Sequence, residues 1–251
     1  MTRKWVLAFL IPALAGCVTT ERPTFVAGAG QATLVRDGID AISSAKPSSV
    51  VLVGPATPEF RNKARPTFVI AIYNRSTAPF TFRVKDISVS QILSDGTEQA
   101  LKVFTYEELM AEEHRRQVIS AVAVGLSAAG NSISASQAGY YSSVGTVSTP
   151  RGTSTVSISG YNPSAAAVAR NAADAQNNQM IAGVVSQGRE NLAALQRSTL
   201  KDNTTLPAEW YGGQFQFSPP AGDGPKRYRI SIQIGADSHV IEVAQAKLEK
   251  G

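Results

Sequence analysis

One cysteine, Cys17, and two histidines, His114 and His239, are all that 251 residues offer toward thiolate or imidazole chemistry. A single thiol excludes an internal disulfide and a thiolate metal site. The fold must therefore stand on its apolar core, even in an oxidising compartment where disulfides would persist. No HExxH, GxSxG or Walker A sequence occurs, which removes the commonest zinc-protease, serine-hydrolase and nucleotide signatures. Dense Lys/Arg runs are also missing: the net charge of +5 is spread along the chain, a pattern that points away from nucleic acid. Charge of either sign nearly vanishes between Gln117 and Ala169, where 53 residues carry only Arg151. At the overall charged fraction of 17%, about nine would be expected there (53 × 0.17).

The N-terminus has the layout of an export signal. Arg3 and Lys4 form a basic head, Trp5 to Ala13 an apolar run, and small residues lead to a cleavage point. The run falls short of the about 20 apolar residues a spanning helix needs. It closes on Leu14-Ala15-Gly16-Cys17, which resembles the lipobox of bacterial lipoprotein precursors. The resemblance covers residues 1–17 only. It implies cleavage between Gly16 and Cys17, a diacylglyceryl group on the Cys17 sulfur and an acyl group on its new amine. Two or three chains make a stable anchor, because each buried CH₂ contributes about 0.8 kcal/mol and one chain holds only marginally. Val18 follows the cysteine. In enteric lipoproteins an aspartate there favours inner-membrane retention, so the resemblance implies an outer-membrane location, facing the periplasm. Loss of Arg3 and Lys4 would leave a charge of +3.

Five segments follow from texture: a signal over 1–16, a lipidated N-terminus and flexible tether over 17–47, and a first β block over 48–104. An inserted helical segment follows over 105–200, and a second β block over 201–251. The tether reading rests on Thr, Ala, Gly and Ser content; Gly28-Ala29-Gly30 within it mimics part of a dinucleotide fingerprint but lacks the βαβ context. Val50 to Val53 form a short apolar run stopped by Gly54-Pro55. Phe68 to Tyr73 are apolar on both faces, as a central strand requires. Phe80, Phe82 and Val84 alternate with polar residues, and Lys85-Asp86 marks a bulge before Ile87 and Val89. Leu101 with Val103, then Trp210 to Phe217, Tyr228 to Ile234 and Val240 to Ala244, complete the set. The expected fold class is α+β: an immunoglobulin-like β-sandwich with an inserted long antiparallel helical hairpin.

The first helix opens at Thr105, with Glu108 placed to close a capping box and Phe104 and Leu109 to form a staple. Large residues Ile119, Val122, Leu126 and Ile133 repeat at heptad-like spacing, beside a row of small ones, Ala121, Gly125, Ala128, Ser132, Ala135 and Gly139. A small row lets a partner helix approach closely. The second helix opens at Asn162-Pro163, cap and first turn. Between them lies a tip over 140–162, where a β-hairpin would put Val156 and Ile158 on one face and Thr155 and Ser157 on the other.

Candidates for catalysis are thin. His114 and His239 read as solvated. Ser43-Ser44-Ala45-Lys46 fits SxxK at chance level, Asp95 and Glu98 flank a turn at Gly96, and Trp210-Tyr211 reads as a packed strand edge. No catalytic, cofactor-binding or metal-ligating residue is assigned, and no cofactor is expected. The expectation is a non-enzymatic envelope protein, tethered through Cys17. It would engage an envelope protein or a second copy through residues 117–169, with no nucleic-acid partner. An oligomeric outer-membrane pore or export complex that inserts the tip hairpin is the alternative, and an envelope hydrolase a distant one. Val118 to Ala129, apolar for only twelve residues, is not expected to span a membrane as a helix.

Overall fold

A computed structural model describes residues 20–36, 38–150 and 152–247. The expected signal segment, the expected cleavage between Gly16 and Cys17 and the expected acylation at Cys17 lie outside the described residues. The chain is α+β: the described residues form sixteen strands in antiparallel sheets and two long helices. It divides into two compact units, one built from the two ends of the chain and one from Tyr106–Thr199.

In the first unit the strands are β1 (Thr20–Val26), β2 (Gln31–Arg36), β3 (Ile39–Ala45), β4 (Ser49–Pro55), β5 (Phe60–Arg61) and β6 (Thr67–Asn74). Then come β7 (Phe80–Phe82), β8 (Ile87–Ile92), β9 (Glu98–Leu101) and β10 (Val103–Phe104). The second unit holds α1 (Tyr106–Gln137), β11 (Tyr140–Thr149), β12 (Gly152–Tyr161) and α2 (Pro163–Ser198). The chain returns to the first unit with β13 (Asn203–Thr205), β14 (Trp210–Phe217), β15 (Lys226–Ile234) and β16 (Asp237–Lys247).

Two six-stranded sheets carry the first unit, in the orders β5-β1-β16-β15-β8-β9 and β10-β14-β6-β4-β3-β2. They bury one shared core. β6 sits inside its sheet between β14 and β4; Phe68, Ile70 and Ile72 point inward and Val69 outward, so its two-sided apolarity serves a central position. Phe68 is the hub of the core. Its ring meets Phe215 and Phe217 of its own sheet at 6.1 and 5.8 Å, and Phe60 and Tyr228 of the other at 5.4 and 6.1 Å. Such aromatic pairs add about 0.5–1.5 kcal/mol each beyond the area they bury.

Two expectations need correction. Residues 20–45, read from composition as a tether, form β1, β2 and β3. Pairing decides this where composition does not: β1 lies between β16 and β5, with Glu21 opposite Lys247 and Val26 opposite Glu242. Ile42 and Ser44 of β3 are buried, the alternation of a half-buried strand. Lys85-Asp86 belongs to a 3₁₀ turn, Val84–Asp86, rather than a bulge, and the Asp86 carboxylate accepts the Arg83 N–H at 3.0 Å.

Candidate assembly surface

In the second unit, polar side chains fix how α1 meets α2. Glu113 is buried and accepts hydrogen bonds from Asn191 Nδ2 at 3.0 Å and Gln117 Nε2 at 3.2 Å, and pairs with Arg116. Gln117 also donates to the Gly188 carbonyl at 3.0 Å, and a Cβ on Gly188 would sit 2.8 Å from Gln117 Cδ. Further along, Asn131 donates to Asn177 at 3.0 Å. Ala135 and Ala166 are buried, and a Cβ on Gly139 would strike Ala166 Cβ at 2.8 Å. The seam is therefore narrow and polar, with an open cleft of about 420 Å³ lined by Glu113, Arg116, Gln117, Gly188 and Asn191. Burial pushes the Glu113 carboxyl up, but the hydrogen bonds from Asn191 and Gln117 and the Arg116 charge outweigh it and hold the group below its ordinary value. Asn162 caps α2 by accepting from Ser164 N at 3.0 Å and Ala165 N at 3.1 Å, which satisfies two N–H groups that the helix start leaves bare.

The large apolar row of α1 does not enter this seam. Ile119, Val122, Leu126 and Ile133 are 69, 59, 72 and 60% exposed. Of the small row, Ala135 and Gly139 are buried and Ala128 partly so, while Ala121, Gly125 and Ser132 are exposed. The heptad pattern was legible; which face of the helix met α2 was not. α1 is also the one helix among the described residues that is long and apolar enough to cross a membrane by length and composition. Ile133 and the alanines extend the apolar stretch past Asn131, beyond the twelve residues Val118 to Ala129 on which the expectation of a non-spanning helix rests.

β11 and β12 pair over ten residues each, from Tyr140 opposite Tyr161 to Thr149 opposite Gly152. Opposite residues share a face, so the register sorts the side chains. One face carries Tyr140, Ser142, Val144, Thr146 and Ser148 with Thr153, Thr155, Ser157, Ser159 and Tyr161, hydroxyls at every position but Val144. The other carries Tyr141, Ser143, Gly145, Val147 and Thr149 with Gly152, Ser154, Val156, Ile158 and Gly160. Nearly every residue is exposed. The rings of Tyr140 and Tyr161 pack at a tilt of 55° with centroids 4.9 Å apart, and Tyr141 lies across Gly160, where a Cβ would come within 2.5 Å of its hydroxyl.

His114 is exposed on α1. His239, expected on a solvated face, is instead fully buried, because it occupies an inward position of β16 between Asp237 and Ile241. Its Nδ1 lies 2.9 Å from Ser44 Oγ and its Nε2 2.8 Å from Ser49 Oγ; Ser49 in turn donates to Asp237 Oδ2 at 2.7 Å. The one proton of Ser49 goes to the carboxylate, so Nε2–H donates to Ser49 and Nδ1 accepts from Ser44. The serine sits between histidine and aspartate, the wrong order for a histidine to draw its proton, and the chain of bonds ties β3, β4 and β16 together. Ser43 and Lys46 bracket the end of a strand, not a helical turn; Ser43 donates to the Ala32 carbonyl at 3.2 Å. Asp95 accepts from Thr97 N at 2.9 Å and Oγ1 at 2.7 Å around Gly96, and these bonds lower its pKa. Glu98 pairs with Arg229. Tyr211 donates to the Lys201 carbonyl at 2.6 Å, and Trp210 packs on Tyr73 at 5.0 Å. Gly28 to Gly30 form the turn between β1 and β2. Among the described residues no group of three or more His, Cys, Asp or Glu side chains is placed to hold a metal.

Sequence reasoning missed a second buried network. Lys226 donates to both Glu21 oxygens at 2.8 and 2.7 Å and to Asn62 Oδ1 at 3.0 Å; Gln245 donates to Glu21 at 2.6 Å, and Tyr228 to Gln245 at 3.1 Å. Burial, with the Glu21 charge, pushes the Tyr228 phenol well above its ordinary value. The available signal was the inward phase of Lys226 in β15, two residues before Tyr228. No protein-family model matches this chain, and no curated protein or solved structure shows significant similarity to it.

Proposed function

We propose that this chain is a non-enzymatic, lipid-anchored envelope protein. Cys17 would fix it to the outer membrane on the periplasmic side, and the Tyr106–Thr199 unit would join it to further copies of itself. In this reading the two sheets are an immunoglobulin-like β-sandwich, and α1 and α2 an antiparallel helical hairpin inserted into it. The observation that carries the proposal is the outward heptad row Ile119, Val122, Leu126 and Ile133, exposed within a stretch whose only charge is Arg151. Covering one such side chain is worth about 1.5–3 kcal/mol. A helix seam of this spacing is filled by another helix, and the absence of charge removes the repulsion that would keep identical copies apart.

Native mass spectrometry of the full lipidated protein in mild detergent tests this. Defined oligomers are expected from the natural sequence, and monomers from a Leu126→Asp, Ile133→Asp double variant whose helical circular dichroism is unchanged. A natural sequence that stays monomeric at micromolar concentration overturns the proposal. Intact-mass analysis of the N-terminal peptide tests the anchor separately: the acylated Cys17 peptide is expected, and an unmodified thiol there overturns that part.

A further inference from the structure

The β11–β12 hairpin has the dimensions and patterning of a membrane-crossing element. We propose that hairpins from several copies pair edge to edge into one transmembrane β-barrel, with the hydroxyl face lining a water-filled lumen and the Val147–Val156–Ile158 face against lipid. This rests on the self-assembly reading above and deepens it.

Length comes first. Ten residues at about 3.3 Å each give strands of about 33 Å, and at a tilt of about 40° they cover the about 25 Å apolar band of such barrels. Spanning strands use about 9–11 residues; β11 and β12 have ten each. Neither strand contains Asp, Glu, Lys or Arg, and Arg151 falls between them in the sequence. A charge at mid-membrane would be costly, whereas one at the turn leaves the hydrocarbon.

Patterning comes second. The register puts nine hydroxyl-bearing residues and Val144 on one face, and on the other Val147, Val156, Ile158 and three glycines together with Tyr141, Ser143, Thr149 and Ser154, so three of the hairpin's four aliphatic side chains share the second face. Spanning strands alternate in this way between lumen and lipid. At the helix end of the hairpin Tyr141 lies on the face assigned to lipid, where an interfacial girdle would sit, while Tyr140 and Tyr161 pack together on the other face.

The edges decide the partner. A two-stranded ribbon leaves the outer N–H and C=O groups of both strands without ladder partners, and hydrocarbon offers them none. An isolated hairpin is marginal even in water. Only further strands can close the ribbon, and identical hairpins supply edges of the same length. A lumen that holds water needs about 16–18 strands, so at two strands per copy the ring would hold about eight copies or more.

The test uses the full lipidated protein in phospholipid vesicles that trap a small fluorescent dye. Single cysteines are placed at Thr146 and Thr155 on one face and at Val147 and Val156 on the other, with the natural sequence giving the background from Cys17. A barrel predicts dye release, labelling of positions 146 and 155 by a water-soluble maleimide, and protection of positions 147 and 156. It also predicts a blue-shifted emission from a polarity-sensitive probe on those last two. Replacing residues 140–161 with a short Gly-Ser linker should abolish release while oligomers persist in native mass spectra. Oligomers without release, or with all four positions labelled alike, overturn the barrel and leave self-assembly standing. Monomers overturn both.

Discussion

Ser49 and His239 meet at 2.8 Å in the interior of the sheet unit, and neither has solvent contact. The imidazole bridges two hydroxyls, so its replacement leaves Ser44 without its acceptor and Ser49 with only its bond to Asp237. His239→Leu is expected to destabilise the protein by about 1–3 kcal/mol for each polar group left unpaired, read as a lower urea midpoint.

The same histidine sets a pH dependence. Burial pushes its pKa below 6.5, with the Asp237 carboxylate opposing and Lys46 reinforcing the shift. The folded protein keeps the ring neutral while the unfolded chain protonates it near 6.5, so this contribution is complete above that value. It is lost as pH falls through 6.5 toward the folded pKa. Urea midpoints measured at about pH 7.5 and about pH 5.5 should differ for the natural sequence, and the difference should shrink in His239→Gln.

Glu113 behaves analogously at lower pH. Its folded pKa lies below the ordinary 4.5, so its ionised hydrogen bonds to Asn191 and Gln117 stabilise the helix pair above 4.5 and weaken as pH falls through the folded value. Helical circular dichroism during acid titration should show this loss, and Glu113→Gln should remove that step. Glu113→Ala removes the acceptor shared by the half-buried Asn191 and Gln117 amides at all pH values, and a loss of about 1 kcal/mol or more is expected.

Lys226→Met strips the bonded ammonium from the buried Glu21 carboxylate. A loss of about 3–5 kcal/mol is expected, whereas Glu21→Leu with Lys226→Met should recover most of it. A double variant as unstable as Lys226→Met alone would show that the network does more than neutralise charge.

Gly212 and Gly183 predict opposite outcomes for one substitution. A Cβ on Gly212 would stand 2.3 Å from the Ile70 carbonyl and 3.0 Å from Ala71 Cα. Both are backbone atoms that cannot step aside, so Gly212→Ala should cost about 1–3 kcal/mol or more. Gly183 is interior to α2 with nothing within 4 Å of its missing Cβ, and Gly183→Ala should stabilise by up to about 1 kcal/mol. Thermal unfolding compares the two directly.

Strands with a strict phase were readable from sequence: the two-sided apolarity of Phe68 to Tyr73 matches an inner strand, and Asn162-Pro163 opens α2. β1 is hidden because its main partner strand lies more than 200 residues away, with Val243 opposite Phe25, and β2 and β3, which pair locally, because their Ser, Thr and Gly content mimics a spacer. His239 reads as solvated for a related reason. A polar residue at an inward position looks solvated until Ser44, Ser49 and Asp237 are brought to it from other strands. On α1 the heptad row was plain, but periodicity names a stripe and not its occupant. Glu113, Gln117 and Asn131 took the α2 side through polar contacts that hydropathy alone does not score.

The first strand begins at Thr20, the third residue after Cys17. Three extended residues reach at most about 11 Å. With acyl chains on that cysteine, β1 would be moored against the lipid headgroups rather than swinging on a leash, and the entropy a long spacer would retain is already surrendered. Lengthening this connection by a dozen glycines and serines would release the mooring while leaving every strand intact, so any activity that depends on a fixed standoff from the bilayer should fade while the fold's melting temperature holds.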